Sequence, residues 1–118
     1  MPFIDHFEPG KVVIDGTSYT QDVLIHGDDV MTWFRVETDL LNEADLQFLL
    51  SEGAKEILLG LGPPAGRVEV PPETKAALSH WPVRFDYLGS AEAVTAFNAA
   101  GGSSSLALVV GAELPSEP

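Results

Sequence analysis

Tyr19, Asp22, Trp33 and Arg35 are the residues whose types and spacing most readily suggest chemistry, because they gather around a hairpin-like stretch of the sequence. Trp33 and Arg35 are two apart, so on a strand they share one face. An arginine beside an aromatic wall could hold a carboxylate or a phosphate through its planar fork of donors. The plainer reading is an arginine salt-bridged to a neighbour and anchoring the sheet. A second candidate is GLGPPAG at 60–66, where Gly60 and Gly62 would let the backbone approach a ligand closely, as in dinucleotide loops. That fingerprint needs a third glycine where Ala65 stands, and Pro63 and Pro64 remove two N–H donors. A structural turn, or a pocket edge of another kind, fits better than a phosphate cradle.

Other chemistries find little support. His6, His26 and His80 are scattered, with no pair at the i, i+4 spacing that zinc enzymes use on a helix. Asp28-Asp29 lacks the further oxygen ligands of a calcium loop. No serine sits in a GxSxG elbow, and Ser103 to Ser105 reads as a loop entering a strand. There is no cysteine, which excludes disulfides, thiolate metal sites and a cysteine nucleophile. No metal and no cofactor is expected.

The elements that must position these residues belong to a chain of 118 residues with 18 acidic and six basic side chains, a formal charge of −12. Residues 1–56 carry 12 acidic and three basic groups, net −9, whereas 57–118 carry six and three, net −3. Such a charge disfavours nucleic acid and anionic membranes, both of which need clustered Lys and Arg. It serves solubility first; an acidic face docking on a basic partner is the functional alternative. No apolar run approaches the roughly 20 residues that span a bilayer. The first residues show neither the basic nor the apolar region of a signal peptide. A cytoplasmic protein is expected, with no membrane insertion, and with its oligomeric state left open. The length suits a single domain over 1–118, ordered over about 11–111, with 1–10 and 112–118 irregular.

Strands are expected at 11–15, 19–26 and 30–36, opening the chain as an antiparallel meander. Gly27, Asp28 and Asp29 form the tight turn between the last two. A three-residue turn there opposes Val23 to Trp33 and Gln21 to Arg35. It gathers Val23, Ile25, Met31 and Trp33 on one face and is the register preferred; the alternative sets Asp22 against Arg35. The period then changes. Asn42 can cap a helix with Glu43 and Asp45 in its first turn and Leu46, Leu49 and Leu50 on one face, and Gly53 stops it. EILLGL at 56–61 is a buried strand, and RVEV at 67–70 adds a short one. A second helix starts at Pro71 and Pro72 with Ala77, Leu78 and Trp81 inward. VRFDYL at 83–88 is a strand. Ser90 caps a third helix that buries Ala93, Val94 and Phe97, and Gly101-Gly102 ends it. SLALVV at 105–110 is the last strand. Unbroken apolar strands alternating with amphipathic helices indicate parallel pairing through helical crossovers. The fold expected is α/β, an antiparallel N-terminal meander followed by a βαβαβ half around one core.

The ordered set of segments YTQDVLIHGDDVMTWFR, DLLNEADLQFLL, EILLGLG, VEVPPETKAAL and EAVTAFNA resembles domain-of-unknown-function family 498. That family includes the mitochondrial complex I assembly factor three and the adipogenesis-associated domain protein. The resemblance covers roughly residues 11–111 and rests on Tyr-x-x-Asp-Val, Trp-x-Arg, Gly-x-Gly and Val-Pro-x-Glu-Thr. It implies a three-layer domain with a mixed central sheet and no established enzymatic activity. It also marks Tyr19, Asp22, Trp33, Arg35, Gly60, Gly62 and Pro71 as the candidate ligand or partner surface.

The sequence departs from the family pattern where many relatives have a Gly-His pair, here Val36, Glu37 and Thr38, and where they carry a small hydroxyl residue, here Leu61. Both departures remove groups capable of acid/base or nucleophilic work. The reading is a non-catalytic binding or assembly-type module that recognises another protein, or a small ligand near Gly60 and Arg35. The alternative is a small enzyme acting on an anionic small molecule near Arg35 and the Gly60–Gly62 loop. A self-associating structural domain is a third possibility.

Overall fold

The computed structural model describes residues 2–35, 37, 39–62 and 67–111. Its central sheet is built from apolar runs too short for helices and covered on both faces. Five strands lie in the order β5-β4-β8-β6-β7, where β4 is Val23–His26, β5 Asp29–Thr32, β6 Glu56–Gly60, β7 Arg84–Leu88 and β8 Ser105–Leu108. β6 runs parallel to both β7 and β8, while β4 is antiparallel to β5 and β8. The sheet is therefore mixed, as the sequence implies.

Alternation along each strand sends neighbouring residues to opposite faces. Leu24, Ile57, Leu59, Ala107 and Val109 pack on one face against Leu41, Leu46, Leu49, Leu50 and Leu78. Val23, Ile25, Leu58, Leu106 and Leu108 pack on the other against Ile4, Val12, Ile14, Ala93 and Phe97. The single core expected is thus two clusters separated by the sheet. The first is roofed by a 3-10 turn at Glu43–Leu46 running into α1 (Gln47–Ser51), with α2 (Pro72–Leu78). The second is roofed by α3 (Ser90–Ala100) and by an antiparallel sheet of β1 (Ile4–Glu8), β2 (Lys11–Ile14) and β3 (Thr17–Tyr19). These are the three layers.

Several expectations are corrected. The lead-in at 1–10, read as irregular, contains β1, whose Ile4 is fixed from both sides. Its N–H donates to Asn98 Oδ1 at 3.0 Å, and Asn98 Nδ2 donates back to its carbonyl at 2.9 Å. The strand expected over 19–26 breaks at Thr20–Asp22, where the chain leaves one sheet for the other. The meander is thereby shared between two sheets. Among the described residues the 67–70 segment makes one isolated bridge, Glu69 to Leu40, and no strand. α2 ends at Leu78, so Trp81 lies beyond it, half-buried, donating Nε1–H to Glu43 Oε2 at 2.7 Å. The N-cap of α3 is Gly89, not Ser90. Glu92 Oε1 accepts from the Gly89 N–H at 2.9 Å, closing the first turn as in a capping box. Asn42 does stand at the entry to the first helix, where its N–H donates to Asp45 Oδ2 at 2.8 Å. The expected irregular tail at 112–118 and the turn residues 63–66 lie outside the described residues.

Candidate functional site

The β4–β5 hairpin decides how Asp22, Trp33 and Arg35 meet. His26 pairs with Asp29, leaving a two-residue turn, Gly27-Asp28, in place of the three-residue turn preferred from sequence. Gly27 has φ of 60°, a left-handed conformation that glycine adopts without strain and that such turns need. The shorter turn pairs Val23 with Thr32, so Met31 and Trp33 face away from Val23 and Ile25. Both registers weighed from sequence are therefore replaced. Beyond the strands the Trp33 N–H donates to the Asp22 carbonyl at 2.8 Å.

Asp22 and Arg35 meet nonetheless. Arg35 Nη1 donates to Asp22 Oδ2 at 2.5 Å, and the arginine side chain is only 8% exposed. The other carboxylate oxygen accepts from the backbone N–H of Val110 at 2.8 Å and of Gly111 at 3.3 Å. One aspartate thus ties the hairpin to the segment leaving β8. The guanidinium also lies 4.9 Å from the centroid of the Trp33 ring. Trp33 is itself buried and donates its indole N–H to the Asp45 carbonyl at 2.9 Å. Arg35 is neutralised and enclosed, so it does not present a cation to an anionic substrate. The three residues line an open cleft of about 490 Å³, and Phe34, 81% exposed, stands on its rim.

The remaining candidates are not brought to this spot. Gly60 is sealed in β6: a Cβ there would come within 2.7 Å of Leu108 Cδ1, 3.1 Å of Ala93 Cβ and 3.2 Å of Ser90 Cα. Its role is to let α3 pack closely on the sheet. Gly62 donates its N–H to Ser90 Oγ at 2.8 Å, and Ser90 in turn donates to the Val109 carbonyl at 2.5 Å. That amide is spent on a buried hydroxyl and is not offered to a phosphate. Gly62 borders a separate cleft of about 460 Å³ at the start of α3, with Phe7, Gly89, Glu92 and Arg67. Tyr19, at the end of β3, packs half-buried on the second cluster. Pro71 is the N-cap of α2 and borders a third cleft of about 850 Å³, with Arg67, Lys75 and Tyr87.

Sequence reasoning missed Phe34, Arg67, Lys75 and Tyr87, and read Ser90 as a helix cap where its hydroxyl bridges Gly62 and Val109. Phe34 carried a signal: strand alternation puts it on the face opposite Trp33. Burial raises the Tyr87 phenol above its ordinary value of 10.0. On β1, a hydrogen bond from His6, joined by the charges of His6 and Lys11, lowers the exposed Glu8 carboxyl.

A family model described as "Protein of unknown function (DUF498/DUF598)" matches residues 4–109. The chain belongs to that family. Solved structures carry the same fold at low identity. An NMR structure of a Xanthomonas campestris protein superposes with a TM-score of 0.78 at 19% identity, covering 100% of this chain and 90% of its own. The crystal structure of a conserved hypothetical protein from Pyrococcus horikoshii gives 0.75 at 20%, covering 92% and 98%. A Bordetella pertussis protein described as an Mth938-like domain gives 0.69 at 14%, covering 96% and 89%. No curated protein matches the sequence. For this DUF498/DUF598 member the neighbours establish the architecture alone. No helix among its described residues is long and apolar enough to cross a membrane.

Proposed function

We propose that this DUF498/DUF598 domain is a non-catalytic binding module that docks on another protein through Phe34 and the cleft beside Arg35. The observation that carries the reading is Phe34 itself, 81% exposed immediately before an arginine locked to Asp22. Exposed aromatic side chains on a rigid support are the usual anchors of protein interfaces, since ordering them costs little entropy. The fixed Asp22–Arg35 pair holds that strand end in place before any partner arrives. The resemblance to complex I assembly factor three, which works by binding other proteins during assembly, supports the same reading. The net charge of −12 argues for a protein partner over nucleic acid. A cytoplasmic setting belongs to the same proposal. The enzymatic alternative near Arg35 is weakened, because the pair with Asp22 removes its anion anchor.

The test is tagged recovery from the native source with wild type and Phe34→Ser side by side. A stoichiometric partner retained by wild type and lost by the variant, with both folded, is expected. Recovery of no partner, or of one indifferent to the substitution, overturns the reading.

A further inference from the structure

The chain has only six lysines and arginines. Arg35 is spent on Asp22, and Arg84 lies 3.5 Å from Glu56 and 3.6 Å from Asp86. Arg67 and Lys75 instead both line the cleft between residues 67–70, the start of α2 and β7, Arg67 at its border with the cleft at the start of α3, where its Nη2 lies beside Gly89. Among the described residues neither makes an ion pair, although Glu69 and Glu73 border the same cleft. The Lys75 ammonium sits 5.2 Å from the centroid of the Tyr87 ring, which holds it over an aromatic face. The floor is apolar, with Leu61 and Val68 both buried. The Tyr87 hydroxyl makes no hydrogen bond among the described residues and, protonated at neutral pH like any phenol, can donate to a ligand.

Position adds to composition. Leu61 follows the carboxyl end of β6, and Tyr87 lies near the carboxyl end of its parallel neighbour β7. In open α/β sheets ligands settle outside those strand ends. The volume, about 850 Å³, falls within the range for small-molecule pockets, roughly 300–1,000 Å³. On a chain of net charge −12, a concave place lined by two cations offers an anion paired local attraction.

We infer that this cleft binds a small amphipathic organic anion, its carboxylate or phosphate head held by Arg67 and Lys75 and its apolar body laid against Tyr87 and the Leu61–Val68 floor. The arginine fork suits a planar or tetrahedral oxyanion, and the lysine adds a point charge. Glu69 and Glu73 on the rim repel polyanions and select a head of low charge. The anion anchor sought at Arg35 thus lies in a neighbouring cleft that shares Val68 with the docking cleft, and neither Arg67 nor Lys75 lines the latter.

The experiment is an amide NMR titration at low salt with four probes: benzoate, phenyl phosphate, inorganic phosphate and benzyl alcohol. Benzoate or phenyl phosphate is expected to shift Val68, Val70, Lys75 and Tyr87 saturably, and whichever binds tighter identifies the head. Inorganic phosphate and benzyl alcohol, each lacking half of the ligand, bind roughly tenfold more weakly. R67Q and K75Q each weaken binding by about five- to tenfold, the loss of one charge-assisted hydrogen bond. K11Q and Phe34→Ser leave it unchanged, so failure here is separate from failure of the docking proposal. Absence of saturable shifts, equal binding of the neutral alcohol, or indifference to R67Q and K75Q overturns the inference.

Discussion

Asp22 and Arg35 do not face each other across the hairpin, yet their side chains close to 2.5 Å and lock the start of β4 to the segment that follows β5. Because Asp22 also accepts from the N–H groups of Val110 and Gly111, its carboxylate joins three pieces of chain. Asp22→Ala leaves a largely enclosed guanidinium without this carboxylate and two backbone donors without their acceptor. Discounted for the partial exposure of Asp22, the expected loss is about 2–3 kcal/mol in urea denaturation with the slope unchanged. Asp22→Asn, which keeps an acceptor but no charge, should fall between that variant and wild type. A loss below about 0.5 kcal/mol for Asp22→Ala would show the pair to be ornamental.

Ser90 presents a similar case at the same end of the sheet, on the carbonyl side of the Val109–Val110 peptide whose N–H Asp22 holds. Its hydroxyl accepts from Gly62 and donates to Val109, both buried bonds. Ser90→Ala strands a buried N–H and a buried carbonyl, costing about 1–3 kcal/mol. Amide exchange at Gly62 should quicken in that variant, and unchanged protection would contradict the arrangement.

Gly60 tests the packing of α3. In Gly60→Ala the Leu108 methyl can swing away, but Ala93 Cβ and Ser90 Cα are fixed to the helix. The added methyl should cost about 1–3 kcal/mol by overpacking and lower the melting temperature accordingly. A neutral or raised melting temperature would mean that α3 slides freely over β6.

Tyr87 should ionise above the ordinary phenol value, because burial raises it. The folded chain keeps this proton at a pH where the unfolded chain has begun to lose it. The resulting stabilisation is present below the ordinary phenol value and fades as pH rises through the folded one. Ultraviolet titration of wild type against Tyr87→Phe should show the late component vanish, and stability of the variant should depend less on alkaline pH.

Phe34→Ser should change stability by no more than about 0.5 kcal/mol, because little of the ring is buried. A larger loss in chemical denaturation would assign Phe34 to the fold instead of to a partner.

The architecture was readable wherever one residue's environment is set by its neighbours in sequence. Ile57–Leu59 and Leu106–Val110 announce strands covered on both faces, and Leu46, Leu49 and Leu50 announce a helix on a core. β1 was hidden because its buried face shows little beyond Ile4, between Pro2 and Pro9. The hairpin register depended on one turn residue: Asp29 has turn chemistry but serves as the first residue of β5. Ser90 looked like a cap because serine usually is one, yet long-range partners claimed its hydroxyl. The Asp22–Trp33–Arg35 group was legible because a hairpin keeps its members close in sequence. Arg67, Lys75 and Tyr87 were not, since only the β6–α2–β7 crossover brings them to one cleft.

β8, the last of the described strands, lies in the middle of the sheet, between β4 and β6. As the polypeptide emerges from the ribosome, the β4–β5 hairpin and the β6–β7 pair can each assemble early, but nothing bridges them until Ser105–Leu108 is released. Until then the nascent chain carries two open strand edges, on β4 and on β6, so the sheet closes only once Ser105–Leu108 can pair with both.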